Sequence, residues 1–277
     1  MLEDISCPFC KCKENSFWAT DNGFKAVKCD DCGFVFVNPR PKNELINKAV
    51  ITGMHSEEAN FLNVVTKMIP KKVDYYEKVF KEFFYNDFKK QNKISWLDVG
   101  AGFGEIVQAI ERIAPSNSYI IGIEPMKPKV EDAILRGLKI RNGYLDSIDE
   151  KFQYISLINV FSHIPDFTSF LKDLKERLLP DGEIILETGN AADLESESVP
   201  GDLSLPDHLI FAGEKHIIGF LEREGFKIIE IKRYRIDTFF GFIKDVVKKI
   251  IGKNVNLVIP YSSDYRSLFI RARLNQN

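Results

Sequence analysis

The chain has 277 residues, 44% of them hydrophobic and 28% charged, with a formal net charge of −2. This is the composition of a globular protein with room for one full-sized α/β domain and a small appendage. It contains no apolar run near the roughly 20 residues needed to cross a bilayer, and no global positive field that would attract polyanions. The opening MLEDISCPFC carries acids and cysteines rather than a basic region followed by an apolar stretch. Nothing there resembles a secretory signal, so a cytoplasmic location is expected.

All five cysteines fall within the first 32 residues, and four form two like pairs, Cys7-Pro8-Phe9-Cys10 and Cys29-Asp30-Asp31-Cys32, separated by 18 residues. Two C-x2-C turns at this separation can set four thiolates around zinc. Gly33 suits the tight turn after the second pair, and FVFV at 34–37 reads as a strand leaving it. Residues 1–42 are therefore expected to be a zinc ribbon held by Cys7, Cys10, Cys29 and Cys32. Cys12 is left over; it competes with Cys10, but the matched spacing favours Cys10. Disulfides are disfavoured in the cytoplasm, and four protein ligands leave no open coordination position, so the zinc is expected to be structural. The ribbon holds six basic and six acidic residues, which gives it little grip on phosphate and argues against a nucleic-acid partner.

Two prolines flanking Arg40 in NPRPKNE close the ribbon and force an extended link. Residues 43–93 read as a helical linker or lid, clearest where Val73, Tyr76, Val79, Phe80, Phe83 and Phe84 repeat at three- and four-residue steps. His55, Tyr75 and Tyr76 are minor candidates for ligand contact.

From residue 94 the pattern changes. ISWLDVG at 94–100 is a short apolar strand ending in glycines, and EIVQAIERI at 105–113 resumes at helical period. Gly100, Gly102 and Gly104 let backbone approach a ligand, and the helix start offers free N–H groups to a carboxylate. The dinucleotide pattern G-x-G-x-x-G is not met, because the third glycine comes one residue early and Asp98 precedes the first. A carboxylate there repels a pyrophosphate but accepts hydrogen bonds from an ammonium group. The next strand, SYIIGIEP, ends in Glu124, 20 residues past Gly104, about where a ribose-binding acid sits in related folds. Further strands follow at 138–149, where Leu145 or Asp146 could contact an adenine, and at 152–164. A helix and Pro-Asp-Gly turn then lead to a fifth strand ending near 188, and the last two strands end near 234 and 274.

LDVGAGFGE and IGIEP together resemble the first two motifs of the class I S-adenosylmethionine-dependent methyltransferases. The resemblance implies a Rossmann-like α/β domain over 94–277, with a seven-stranded, mostly parallel sheet, helices on both faces and the last strand inserted antiparallel. It also implies S-adenosyl-L-methionine bound by Asp98, Gly100, Gly102, Gly104 and Glu124. The ribbon, FVNPRP and DHLIFAGE look like a bacterial subfamily associated with sugar and surface-polysaccharide modification, which implies O-methylation of a small sugar-type acceptor. A zinc-ribbon rRNA or tRNA methyltransferase and a non-catalytic adaptor are the alternatives.

Methyl transfer to a hydroxyl requires a base, sought at the C-terminal ends of the strands. His163 in NVFSHIPD and His208 in LPDHLIFAG are the candidates. His163 is at a position where the superfamily frequently has histidine and reads first as a packing residue; His208, with Asp207 to orient it, is the stronger choice. His216 falls in an expected surface helix. Residues 181–207 carry eight acids and no lysine or arginine, an acidic lip suited to a hydroxyl-rich or cationic acceptor. Residues 227–253 hold eight basic residues against three acids. FFGFIKDVVKKII within them reads as ordinary sheet packing with snorkelling lysines, with a membrane surface or a homodimer interface as the alternatives.

Overall fold

A computed structural model describes residues 2–53, 67–236 and 238–275; His55 lies outside them. At the amino terminus β1 (Leu2–Glu3) pairs with β5 (Arg40–Pro41), and between them run β2 (Asn15–Asp21), β3 (Phe24–Cys29) and β4 (Val35–Val37). The helices α1 (Asn43–Thr52) and α2 (Pro70–Phe88) follow. The main sheet is built from β6 (Ser95–Val99), β7 (Tyr119–Glu124), β8 (Ile140–Asn142), β9 (Phe152–Ile158), β10 (Leu178–Gly189), β12 (Phe226–Arg235) and β13 (Arg266–Leu274). The helices α3 (Glu105–Glu111), α4 (Lys127–Leu135), α5 (Phe167–Lys175), α6 (Glu214–Arg223) and α7 (Phe239–Ile250), and the short strand β11 (Ile210–Phe211), lie between them.

The seven strands are ordered β12-β13-β10-β9-β6-β7-β8. The five from β10 to β8 are parallel, and β13 enters antiparallel between β10 and β12. Strand order reverses between β6 and β9, the place where open α/β sheets bind ligands.

Central parallel strands are covered on both faces and therefore read as nearly continuous apolar runs. Leu97, Val99, Ile155 and Leu157 face one core with Leu171, Leu174 and Phe220 of α5 and α6. Trp96, Tyr154 and Ile158 face the other with α2, α3 and α4. The α2 stripe is buried there from Val73 to Phe88; Phe80 and Phe84 are fully covered, each contributing about 1.5–3 kcal/mol in removed apolar surface. α5 ends at Lys175, and Leu178 already opens β10.

The ribbon does not stand apart. Cys7, Cys29, Phe34 and Phe36 belong to the same core as Leu97 and Phe220. β11 pairs with β4 and completes the sheet β11-β4-β3-β2. The other face of that sheet, with Trp18, Val35 and Val37, packs on Ala191, Val199, Leu203 and Leu205.

Two expectations do not hold. His216 is not on a surface: it is fully buried in α6, its Nε2 at 3.0 Å from the Cys32 carbonyl oxygen and its Nδ1 accepting from Gly213 N. The amphipathic 239–251 stretch is not buried against the core as expected: no residue of α7 is buried, and only Gly241, Phe242, Asp245, Val246 and Lys248 are half-buried. Helical periodicity marks an apolar stripe but carries no information on whether a partner covers it.

Candidate functional site

A cavity of about 880 Å³ opens at the carboxyl ends of β6, β7 and β9. Gly100 and Gly102 line it with φ of 71° and 55°, left-handed values that other residues adopt only with strain. A side chain at Gly100 would also strike Val160, its Cβ falling 2.7 Å from Cγ2. Glu124, at the end of β7, accepts from Gly102 N through Oε2 and from Met126 N through Oε1, both at 2.9 Å. The loop and the acid therefore hold each other in place, and the carboxylate faces the cavity with its remaining lone pairs.

Gly104 has a different task. It caps α3 at φ 84°, and a Cβ there would come within 2.5 Å of Leu138 and 2.8 Å of Ile140; it permits helix-to-strand packing and does not line the cavity. Leu145 lines the cavity, whereas Asp146 beside it is exposed outside it.

Asp98 lies one layer beneath the loop, almost fully buried. Its Oδ1 accepts from Ser156 Oγ at 2.5 Å, and that oxygen accepts in turn from Trp96 Nε1. Burial pushes the carboxyl up to about 8; the Ser156 bond opposes the shift, and the charges of Glu105 and Glu124 add to it. Glu105, buried at the start of α3 and accepting from Ile69 N at 3.3 Å, is a further acid beside the loop that the sequence reading did not single out. Three acidic groups thus surround one glycine loop, with Asp98 held mostly protonated at pH 7 and able to ionise against a cation; the set suits a cationic ligand and disfavours a pyrophosphate.

The opposite wall is assembled from distant segments: Asn47 and Val50 of α1, Asp21 and Asn22 at the ribbon hairpin tip, Asp202 and Asp207 before β11, and Gly252–Asn254 after α7. Of the eight acids between 181 and 207, only Asp202 and Asp207 line the cavity. Glu183 instead pairs with Arg271 and Arg273 across the sheet. Glu187 is buried, accepting from Tyr76 Oη at 2.9 Å, Asn159 Nδ2 at 3.1 Å and Ser267 Oγ at 2.6 Å. Tyr76 thus orients Asn159, which lines the cavity, while Tyr75 packs on Tyr76 at the surface.

His163 lines the cavity and His208 does not. Asp207, expected to orient His208, contacts His163, and only its charge is seen to act on His208. Adjacent side chains diverge, and Asp207 turns to His163, with its carbonyl oxygen at 2.9 Å and Oδ1 at 3.5 Å from Nδ1. A carbonyl only accepts, so Nδ1 carries the hydrogen and the neutral ring presents Nε2 as its basic atom. Burial alone would lower the His163 pKa, but the hydrogen bond and charge of Asp207 outweigh it and hold the ring above its ordinary value. His208 sits behind, 4.9 Å away between ring centres, with Nδ1 at 3.0 Å from the Leu203 carbonyl oxygen. Burial and the neighbouring His163 push it down to about 4, so it stays neutral near pH 7. His163, Asp207 and His208 each offer a donor atom within 4.8 Å of the others, but both Nδ1 atoms already face carbonyl oxygens and the trio is better arranged to hold a proton than an ion.

At the far side of the ribbon the four sulfurs of Cys7, Cys10, Cys29 and Cys32 lie within 4.8 Å of one another, with Cys7–Cys32 at 3.6 Å and Cys10–Cys29 at 3.5 Å. These separations exclude disulfides, whose S–S length is about 2.05 Å. They are close to the edge of about 3.8 Å in a tetrahedron with metal–sulfur bonds of about 2.3 Å. Cys12 Sγ turns away to Glu14.

The profile of the methyltransferase-domain family matches residues 72–231, more than half of the chain. A ubiquinone biosynthesis O-methyltransferase of Haemophilus ducreyi is 31% identical over 108 residues, which cover 34% of this chain and 44% of that protein. The match therefore spans less than half the length of that relative. Among solved structures, coclaurine N-methyltransferase aligns with a TM-score of 0.53 at 12% identity, over 82% of this chain and 80% of its own. An S-adenosylmethionine-dependent methyltransferase of Clostridium acetobutylicum aligns with 0.51 at 11%, over 77% and 95%. The [4+2]-cyclase SpnF aligns with 0.51 at 15%, over 73% and 81%. At such identities these neighbours share the fold; the family match says more, and on it the chain belongs to the methyltransferase-domain family, in its class I, S-adenosylmethionine-dependent form.

Proposed function

We propose that the protein transfers the methyl group of S-adenosylmethionine to a hydroxyl of a small sugar-type acceptor. In this reading Asp98 takes the ammonium of the methionyl group, the Gly100–Gly102 loop lies along its carboxylate, Glu124 accepts from the ribose hydroxyls and Leu145 packs on the adenine. The bound cofactor supplies an electrophilic methyl group, so the chain's own tasks are alignment and proton removal. Nε2 of His163 accepts the hydroxyl proton as the oxygen attacks, and Asp207 stabilises the imidazolium that forms. The base is reassigned from His208 to His163, and His208 backs the ring.

The observation that carries this reading is the placement of the His163–Asp207 pair on the cavity, opposite the glycine loop and beside a polar wall of Asp21, Asn22, Asn47 and Asp202. Such a wall offers hydrogen-bond acceptors to a hydroxyl-rich molecule and repels a phosphate-rich polymer. The four thiols are proposed to hold a structural zinc, since their separations fit its tetrahedron and no open position remains. Incubation with tritiated S-adenosylmethionine and a panel of nucleotide-linked and free sugars tests the acceptor. Labelled sugar that disappears in His163→Asn is expected; absence of label under conditions where calorimetry shows cofactor binding sinks the sugar assignment.

A further inference from the structure

The helix α7 and the loop after it leave a large apolar face uncovered among the described residues. Phe240 is 83% exposed, Ile250 78%, Ile251 67% and Ile259 71%. Phe240, Ile243, Val247 and Ile250 follow one another at three- and four-residue steps, so they form a single stripe along the helix. Lys244, Lys249 and Lys253 are exposed beside it. The only acid of α7, Asp245, is half-buried and held by Lys248 at 3.1 Å. Lys248 also reaches Asp202 at 3.7 Å and so ties the helix to the cavity wall, while Gly252, Lys253 and Asn254 form part of that wall themselves.

Pairing of this face with itself about a two-fold axis would set lysines against lysines with no free acid on the helix to answer them. An anionic surface answers both features, taking the apolar stripe into the headgroup boundary and the lysines at the phosphates. With 12 residues, α7 is roughly 18 Å long, too short to span a hydrocarbon core of about 30 Å, so it lies in the surface.

We infer that α7 and the 251–261 loop dock on an anionic phospholipid membrane and hold the cavity mouth at its surface. On the methyl-transfer reading above, the acceptor is then a hydroxyl compound carried on a lipid; the membrane contact itself does not depend on that reading.

The test is sedimentation of the full chain with vesicles of phosphatidylcholine alone and of phosphatidylcholine mixed with phosphatidylglycerol. The protein is expected in the pellet only with the anionic vesicles, with binding weakened by salt. Phe240→Asp with Ile243→Asp is expected to lower partitioning roughly tenfold or more, and Lys244→Glu with Lys249→Glu to abolish the preference for the anionic vesicles. All four positions are exposed, so an unchanged Tm shows that the variants are folded. Wild-type protein that stays in the supernatant with anionic vesicles, or apolar-face variants that pellet as well as wild type, overturns the inference. So does a concentration-dependent dimer dissociated by Phe240→Asp, which would assign the face to a second copy. None of these measurements uses methylation, so a failure of the acceptor reading is seen separately.

Discussion

A carboxyl group with a pKa near 8, placed where a cationic cofactor end is proposed to bind, makes cofactor affinity a proton-linked quantity. At pH 7 Asp98, pushed up to about 8 by its burial, carries roughly 0.9 proton in the free protein. Pairing with the methionyl ammonium requires the ionised carboxylate, so that proton is released on binding. Holding it at pH 7 costs about 1.4 kcal/mol, a tenfold weakening relative to the ionised form. The cofactor's own α-amino group titrates near 7.7–8.0, so above pH 8 binding instead takes up a proton at the amine. Net release at pH 7, net uptake at pH 9 and tightest binding near pH 8 are the expected results. The assay is titration calorimetry with S-adenosylmethionine in pairs of buffers of different ionisation enthalpy. Asp98→Asn should eliminate the release at pH 7 and weaken binding by about 1.5–3 kcal/mol at pH 8, the contribution of a hydrogen bond between charged groups. Equal proton release by Asp98→Asn and wild type would refute the assignment of Asp98 to the ammonium.

His163 accepts a proton only when neutral, and Asp207 raises its pKa, so kcat/KM should climb with pH on a limb lying above the ordinary histidine value of about 6.5. Removing the charge in Asp207→Asn leaves only the backbone carbonyl bond to oppose burial and should move that limb to lower pH, while His163→Asn should cost roughly 10²–10⁴ in kcat; an unmoved limb counts against the pair. A strong chelator, or Cys32→Ser, should release one zinc per chain and raise the acceptor KM more than the cofactor Kd, because the ribbon tip with Asp21 and Asn22 faces only the acceptor wall. Metal analysis and paired binding measurements check this. Gly104→Ala should lower stability by about 2–4 kcal/mol in urea titration, combining overpacking against Leu138 and Ile140 with the left-handed φ.

What could be read from the chain in advance follows how local each feature is. The strand, glycine loop and Glu124 are legible because the pieces of that half-site lie within 30 residues and each uses a residue type with a distinct physical role. The two cysteine pairs are legible for the same reason. The acceptor wall is not, since Asp21, Asn47, His163 and Asp207 come from four segments, and nothing in LPDHL tells whether Asp207 turns toward its neighbour or toward a ring 44 positions earlier. His216 reads as a surface residue because a histidine on an amphipathic helix looks the same whether it meets water or the Cys32 carbonyl. Gly104 reads as one of the ligand-facing glycines because a pattern of spacing does not separate close approach to a cofactor from close approach to Leu138.

The antiparallel pairing of β4 with β11, Phe36 opposite Ile210 and Val35 opposite Phe211, bears on how the chain is made. The two halves of that ladder are about 170 residues apart, and a ribosome adding roughly 5–20 residues per second delivers the second some ten to thirty seconds after the first. Early in that interval the β2–β3 hairpin and the four thiols around it are outside the ribosome with an open sheet edge and a bare apolar surface around Phe34 and Phe36. Until the strands of the main sheet emerge, only contacts within the first forty residues are available to shape them. Metal capture by the nascent knuckle would fix the register that the late strand must meet, and would shield the thiols from oxidation while they wait. Zinc supply during translation is therefore expected to govern the yield of folded protein more sharply than zinc supply afterwards.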